Sequence, residues 1–203
     1  MPSSIQAILF DFGNVLVKWD MHNIYDAHFP SPADVDAFLE EVRFFEWNSH
    51  MDRGLPFSEG VARASAQFPH YAHLFQLWSD RWFDTVCEPI EGSIAIARVL
   101  KEAGYPLYIL SNVSEEKFPQ ARKAHAFLSM FEDIFISSEF GLVKPEPEIF
   151  QQTLQRMNRP AEEVVFIDDA LANIESARKL GLQSIHFQSP AQLERELKTL
   201  QIL

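Results

Sequence analysis

The sequence has a single cysteine, Cys87, in 203 residues. One thiol excludes an internal disulfide framework and any zinc site built from cysteines, and it suits a reducing compartment. Cys87 shows no partner in the sequence and is read as buried and inert. No stretch approaches the ~18 consecutive apolar residues of a membrane span, so no membrane partner is expected. Residues Met1–Gln6 carry no cationic stretch and no long apolar run follows, which argues against a signal peptide and for a cytoplasmic location. Positive charge is also scarce. Seventeen Lys+Arg face 29 Asp+Glu, a net charge of −12. An acidic surface repels phosphate backbones, which argues against sequence-independent nucleic-acid binding.

What is present is a chain that can bury a core. Hydrophobic residues make up 47% of it, and its length fits one large domain or a core with one insertion. The charge is uneven. Residues 1–90 hold 13 acids against 5 Lys+Arg, and residues 91–203 hold 16 against 12. All four Trp and five of the seven His also fall in the first ninety residues. Two regions of different composition share the chain.

The second half alternates short apolar runs with amphipathic stretches. Residues 106–110, 133–136, 164–167 and 183–187 read as buried strands. Helical patterns lie at about 90–103, 114–126, 146–158, 171–180 and 190–200. Ser189-Pro190-Ala191-Gln192 has the composition of a helix start. Gly104 and Gly181 suit helix ends that need a left-handed residue. Such alternation argues for a parallel sheet covered on both faces. Ala7-Ile8-Leu9-Phe10 is one more strand, some 80 residues upstream. The interval between reads as helical throughout, with helices at 31–45, opened by Ser31-Pro32-Ala33-Asp34, and at 58–67 and 71–85. The fold class is α/β, with an all-helical domain inserted after the first strand. Residues 1–16 and 89–203 form the core, and 17–88 the insertion. No repeat or low-complexity tract is seen.

Open parallel sheets bind ligands at the carboxyl ends of their strands. Asp11-Phe12-Gly13-Asn14-Val15 follows the first strand, and Ser111-Asn112 the second. Lys144-Pro145 comes beyond the third, and Asp168-Asp169 follows the fourth, with Asn173 one helical turn on. A nucleophile candidate, a hydroxyl, a cation and a carboxylate pair converge on one edge. This suggests phosphoryl transfer through an aspartyl-phosphate, because a carboxylate can attack phosphorus and split one hard step into two. Asp11, Asp168 and Asp169 against Lys144 leave the bare site near −2, which would reject a phosphate. One Mg²⁺ brings it to about neutral, and carboxylates, a carbonyl and waters suit that ion.

These four motifs, in this order at strand ends, resemble those of the haloacid dehalogenase-like hydrolase superfamily, whose members are mostly phosphatases. The resemblance covers the whole chain. It implies a Rossmann-like core and a small helical cap. It implies Asp11 as nucleophile and Mg²⁺ ligand, with the Gly13 carbonyl and the Asp169 side chain as further ligands. Asp168 and Asn173 would act at one remove from the metal. Ser111 would hydrogen-bond a phosphoryl oxygen, and Lys144 would stabilise the developing charge. The Phe12 and Gly13 N–H groups would face the phosphoryl oxygens, with Asn112 beside them. The implied partner is a small phosphorylated molecule. Monomer and homodimer both stay open.

One position departs from the family's phosphatases. They usually carry a second Asp two residues after the nucleophile, which protonates the leaving group and later activates water. Here that position is Gly13. General acid–base help is worth about 10²–10⁴-fold, or ~3–5 kcal/mol of barrier. Three explanations stand: a good leaving group, a proton donor from the cap, or a weak or non-catalytic, ligand-binding relative. A bacterial sugar-1-phosphate (glucose-1-phosphate) phosphatase subgroup is similar at these positions, which favours an active enzyme. A 2-haloacid dehalogenase also lacks the second Asp, but it works without metal and would have no use for Asp168-Asp169. On the cap, Trp19, Asp20, His22, Glu46, Trp47, His50, Asp52 and Arg53 are candidates to contact the leaving group. Of these Trp19, Glu46, Trp47 and Arg53 are put forward as substrate-binding. Phe75, Trp78 and Trp82 read as cap core. The cap's acidity suits a neutral, hydroxyl-rich or cationic leaving group.

Overall fold

The computed structural model describes residues 5–203. The signal-peptide reading of the first residues lies largely outside that range. Five strands form one parallel sheet, β1 (Ala7–Phe10), β2 (Leu107–Ser111), β3 (Asp133–Ile136), β4 (Val164–Asp168) and β5 (Gln183–His186). Their order is β3-β2-β1-β4-β5. All four residues of β1 are buried, as expected for an apolar run sandwiched between helical layers. The pleat sends alternate residues to opposite faces. Ile8 and Phe10 join one cluster, with Ala97, Leu100, Leu193 and Leu197. Ala7 and Leu9 join the other, with Ile149, Phe150, Ile174 and Ala177. Helices α6 (Glu91–Glu102) and α10 (Pro190–Thr199) therefore cover one face, and α8 (Pro147–Met157) and α9 (Leu171–Lys179) the other. A shorter helix, α7 (Phe118–Ala124), follows β2.

Between β1 and β2 the chain forms α1 (His22–Tyr25), α2 (Pro32–Glu41), α3 (Phe44–Asp52), α4 (Phe57–Gln67) and α5 (Ala72–Arg81). The two connections to them run side by side. Lys18 N–H donates to Glu88 O at 2.8 Å and Ile90 N–H to Leu16 O at 2.8 Å. Aromatic rings fill the centre of these helices. Phe44 meets Trp78 edge-on at 5.0 Å, and Tyr25 meets Phe38 at 5.2 Å. Truncating the fully buried Trp78 to Ala is expected to cost about 3–5 kcal/mol.

Some local expectations change. The helix read as 31–45 is two helices, because Arg43 adopts a left-handed φ of 52° between α2 and α3. The Ser31 hydroxyl donates to Asp34 Oδ2 at 2.7 Å instead of accepting a backbone N–H. Ser189 does cap as expected, accepting from Gln192 N–H at 3.2 Å. Gly104 and Gly181 have φ of 92° and 93°. The stretch 71–85 is α5 followed by a 3-10 turn at Trp82–Thr85, and α7 starts only at Phe118. Cys87 is exposed, not buried, and its thiol donates to Asp84 O at 3.3 Å. Among the described residues no helix is long and apolar enough to cross a membrane.

Candidate active site

The strand order puts the carboxyl ends of β2, β1 and β4 side by side. β1 is the point from which the chain crosses to either side, where ligands bind in open parallel sheets. Asp11 follows β1 directly. Its backbone N–H donates to Ile167 O at 2.8 Å, which carries the ladder one residue on and sets the carboxylate beside the end of β4. Ser111 is the last residue of β2, and Asp168 the last of β4.

Lys144 arrives on the loop between β3 and α8. Asn112 fixes its backbone from both sides, accepting from Lys144 N–H at 2.8 Å and donating to Lys144 O at 2.9 Å. The Lys144–Pro145 peptide is cis. The ammonium then stands 2.7 Å from Asp11 Oδ1 and 2.7 Å from Asp168 Oδ2, and the lysine side chain is only 2% exposed. Asp168 is fully buried, and it also accepts from Asn173 Nδ2 at 2.9 Å and from Ala170 N–H at 2.8 Å. Both of its oxygens are thus occupied. It orients Lys144 and has little left for another ligand.

Asp169 points elsewhere. Its Oδ2 accepts from Asn14 Nδ2 at 3.1 Å, and Asn14 Oδ1 in turn accepts from Trp19 N–H at 3.0 Å. One oxygen each from Asp11, Asp168 and Asp169 lie within 4.8 Å of one another. Clustered hard oxygens with one cation among them are a donor set that fits a divalent ion of the magnesium type.

The charges act on one another. Burial, then Asp168 and Asp169, push Asp11 up to about 7, against Lys144, which pulls it down. Burial works to discharge Lys144, but Asp11 and Asp168 outweigh it and raise its pKa. Asp169 is raised by burial and by Asp168.

Asp11, Ser111, Lys144 and Asp169 floor a cavity of about 380 Å³, with Asp168 behind them. Its other wall comes from the inserted helices and their connections, with Trp19, Phe45, Asn48, Ser49, Asp52, Trp82 and Val86. Asp52 is half-buried, and burial pushes its carboxyl up to about 7. Of the candidate substrate contacts, Phe12, Gly13, Asn112 and Trp19 line this cavity. The Phe12 N–H, however, donates to Asp11 Oδ1 at 2.7 Å, and the Asn112 amide is spent on Lys144. Glu46, Trp47 and Arg53 do not reach it. Glu46 pairs with Arg43 at 3.3 Å on the surface. Trp47 donates to Gly60 O at 2.9 Å and packs on Phe75. Arg53 makes a two-pronged contact with Glu146, at 2.8 and 2.6 Å.

A family model described as a haloacid dehalogenase-like hydrolase matches residues 5–181. The chain belongs to that family. Among relatives of this hydrolase, sesquiterpene phosphatase astK of Aspergillus oryzae is 30% identical over 98% of both chains. Drimenol cyclase drtB of Aspergillus calidoustus is 26% identical over 95% of this chain, which spans only 36% of that longer protein. A HAD family enzyme of Bacteroides thetaiotaomicron, solved with magnesium and inorganic phosphate, superposes with a TM-score of 0.66. It is 21% identical, over 91% of this chain and 95% of the other.

Asp52, a candidate from the sequence, lines this hydrolase's cavity together with Phe45, Asn48 and Ser49, which the sequence did not single out. The four are spaced i, i+3, i+4, i+7 on α3 and share one face. The neighbouring face, with Phe44 and Met51 fully buried and Trp47 packed beside them, makes cap core. The period was there to be read, but only the packing shows which face looks inward. Asn14, which ties Asp169 to the Trp19 backbone, was also passed over as a site residue.

Proposed function

We propose that this hydrolase is a Mg²⁺-dependent phosphatase of a small phosphorylated metabolite, with a sugar phosphate as the leading candidate. The observation that carries the reading is Lys144, buried and bridging Asp11 to Asp168, beside a further carboxylate at Asp169. Residues 17–88 act as its cap over a core of 1–16 and 89–203. Asp11 attacks the phosphorus, forming an aspartyl-phosphate as the alcohol leaves, and water then releases inorganic phosphate. Ser111 donates to a phosphoryl oxygen. Lys144 meets the charge that develops on the transferring group, from a side chain only 2% exposed. Asn112 and Asp168 hold Lys144 in place for that role. When bound by Asp11, Asp169 and the Gly13 carbonyl, Mg²⁺ supplies the positive charge that lets an anionic substrate enter. The phosphatase relative supports this chemistry, and Asn48, Ser49 and Asp52 suit a hydroxyl-rich or cationic leaving group.

A phosphate-release screen over phosphometabolites with Mg²⁺, including glucose-1-phosphate and acetyl phosphate, tests the reading. Turnover is expected to stop with Asp11→Asn and to stop reversibly with EDTA. Metal-independent turnover would overturn it. Halide release from 2-chloropropionate that ignores EDTA would point to a dehalogenase instead.

A further inference from the structure

The family position for a general acid is Gly13, and glycine has no proton to give. The cavity nevertheless holds one carboxyl group that is neither a metal-ligand candidate nor an ion-pair partner of Lys144. That group is Asp52, at the C-terminal end of α3, on the wall formed by the inserted helices.

Its placement is fixed by the core. The Asp52 carbonyl accepts from Ser137 Oγ at 2.6 Å, and Ser137 is fully buried just after β3. The next residue, Arg53, grips Glu146 with both guanidinium nitrogens. Glu146 Oε2 also accepts from Val143 N–H at 3.0 Å, inside the loop that carries Lys144. The end of α3 is therefore tied to the same loop that positions Lys144, and Asp52 shares one cavity with Asp11, Ser111 and Lys144.

The side chain is also held. Asn48 Nδ2 donates to Asp52 Oδ2 at 2.9 Å. Asn48 is 5% exposed and lines the cavity, yet its Oδ1 has no hydrogen-bond partner. The Asn48 amide thus holds the Asp52 carboxyl from within the cavity wall. The charged groups that share the cavity with Asp52 are Asp11, Asp169 and Lys144. Arg53 is turned away to Glu146, and Ser49, Trp82 and Ser137 are neutral. No cation in these contacts holds Asp52 ionised, and burial favours its protonated form.

We infer that Asp52 performs the proton transfers that Gly13 cannot, with Asn48 orienting it. This rests on the Asp11 phosphatase reading. In the first step an Asp11 oxygen bonds to phosphorus, the bond from phosphorus to the leaving oxygen breaks, and that oxygen takes the Asp52 proton. In the second, water bonds to phosphorus, the bond from phosphorus to the Asp11 oxygen breaks, and the Asp52 carboxylate takes a proton from the water. Phosphate leaves with Asp11 ionised and Asp52 protonated again.

The test uses the Mg²⁺-loaded full chain and phosphate monoesters of graded leaving-group acidity, from p-nitrophenyl phosphate to glycerol phosphate. In wild-type protein the rate should depend weakly on leaving-group pKa. Asp52→Asn, which keeps the size and the Asn48 contact, should lower alkyl phosphate turnover by about 10²–10⁴-fold. With p-nitrophenyl phosphate it should give a burst near one nitrophenolate per site, because the second step has lost its base. The alkaline fall in kcat/KM for the alkyl substrate should vanish in the variant. Asp52→Glu should recover part of the loss. Unchanged rates in Asp52→Asn, or an equal loss on every substrate without a burst, would overturn the inference. If wild-type protein turns over no monoester, or Asp11→Asn keeps turnover, the phosphatase reading itself falls.

Discussion

Lys144 Nζ lies 2.7 Å from Asp11 Oδ1, and it supplies the attraction that pulls the Asp11 pKa down against burial and two neighbouring acids. Removing it strands two buried carboxylates. Breaking a buried ion pair from one side costs about 3–5 kcal/mol. Lys144→Met is therefore expected to lose turnover and to unfold at clearly lower temperature, as followed by thermal denaturation. A Tm equal to wild type would contradict this account of the site.

Asp52 sets a pH dependence of stability. Its folded pKa, about 7, is raised above the ordinary 3.8. Between those values the folded state holds a proton that the unfolded chain has lost. Its contribution is present below about pH 3.8 and is lost as pH rises through about 7. Asp52→Asn removes that loss. The variant should gain in Tm relative to wild type on going from pH 5 to pH 8, and a constant difference would count against a neutral Asp52.

Gly13 has room for a side chain. A Cβ built there would stand 3.7 Å from Trp19 Cβ, an ordinary contact. Gly13→Asp placed in the Asp52→Asn background should raise kcat on alkyl phosphates above that of Asp52→Asn alone. Steady-state phosphate release measures it.

Arg53 separates stability from positioning. Its ion pair with Glu146 is about one-third exposed on both sides, and such pairs are worth little, about 0.2–1 kcal/mol. Arg53→Met should shift Tm by less than about 4 °C. Its kcat on alkyl phosphates should fall further, by up to about 100-fold, because small displacements of an aligned group are costly. Kinetics and melting curves on the same preparation test the split.

The sheet was legible in the sequence because each strand is a short apolar run buried on both faces. The expected strand ends differ from the observed ones by at most one residue, as at β2, which spans Leu107–Ser111. The motifs at those ends were legible for the same reason, since sheet geometry alone brings Asp11, Ser111 and Asp168 together. The inserted helices were less so. Nothing in the local sequence marks Arg43 as left-handed. The choice between the two faces of α3 depends on which one the cap core claims. Arg53 reads as a substrate contact in the sequence because its partner, Glu146, lies 93 residues away. Cys87 reads as buried on residue type, while its place beside the connection back to the core leaves it exposed.

The bonds that seat the end of α3 tie the inserted helices to both the end of β3 and the loop that carries Lys144. Swinging α3 off the core to admit or release a ligand would break the Ser137 bond and the Arg53–Glu146 pair together. Glu146 would keep only its own loop to hold. On the proposed mechanism, a molecule opened in this way would have its attacking Asp11 but no proton donor over it, and an aspartyl-phosphate formed there would have no nearby base to draw water onto it. Closing would then work as a safety catch, fastened to the loop that carries Lys144.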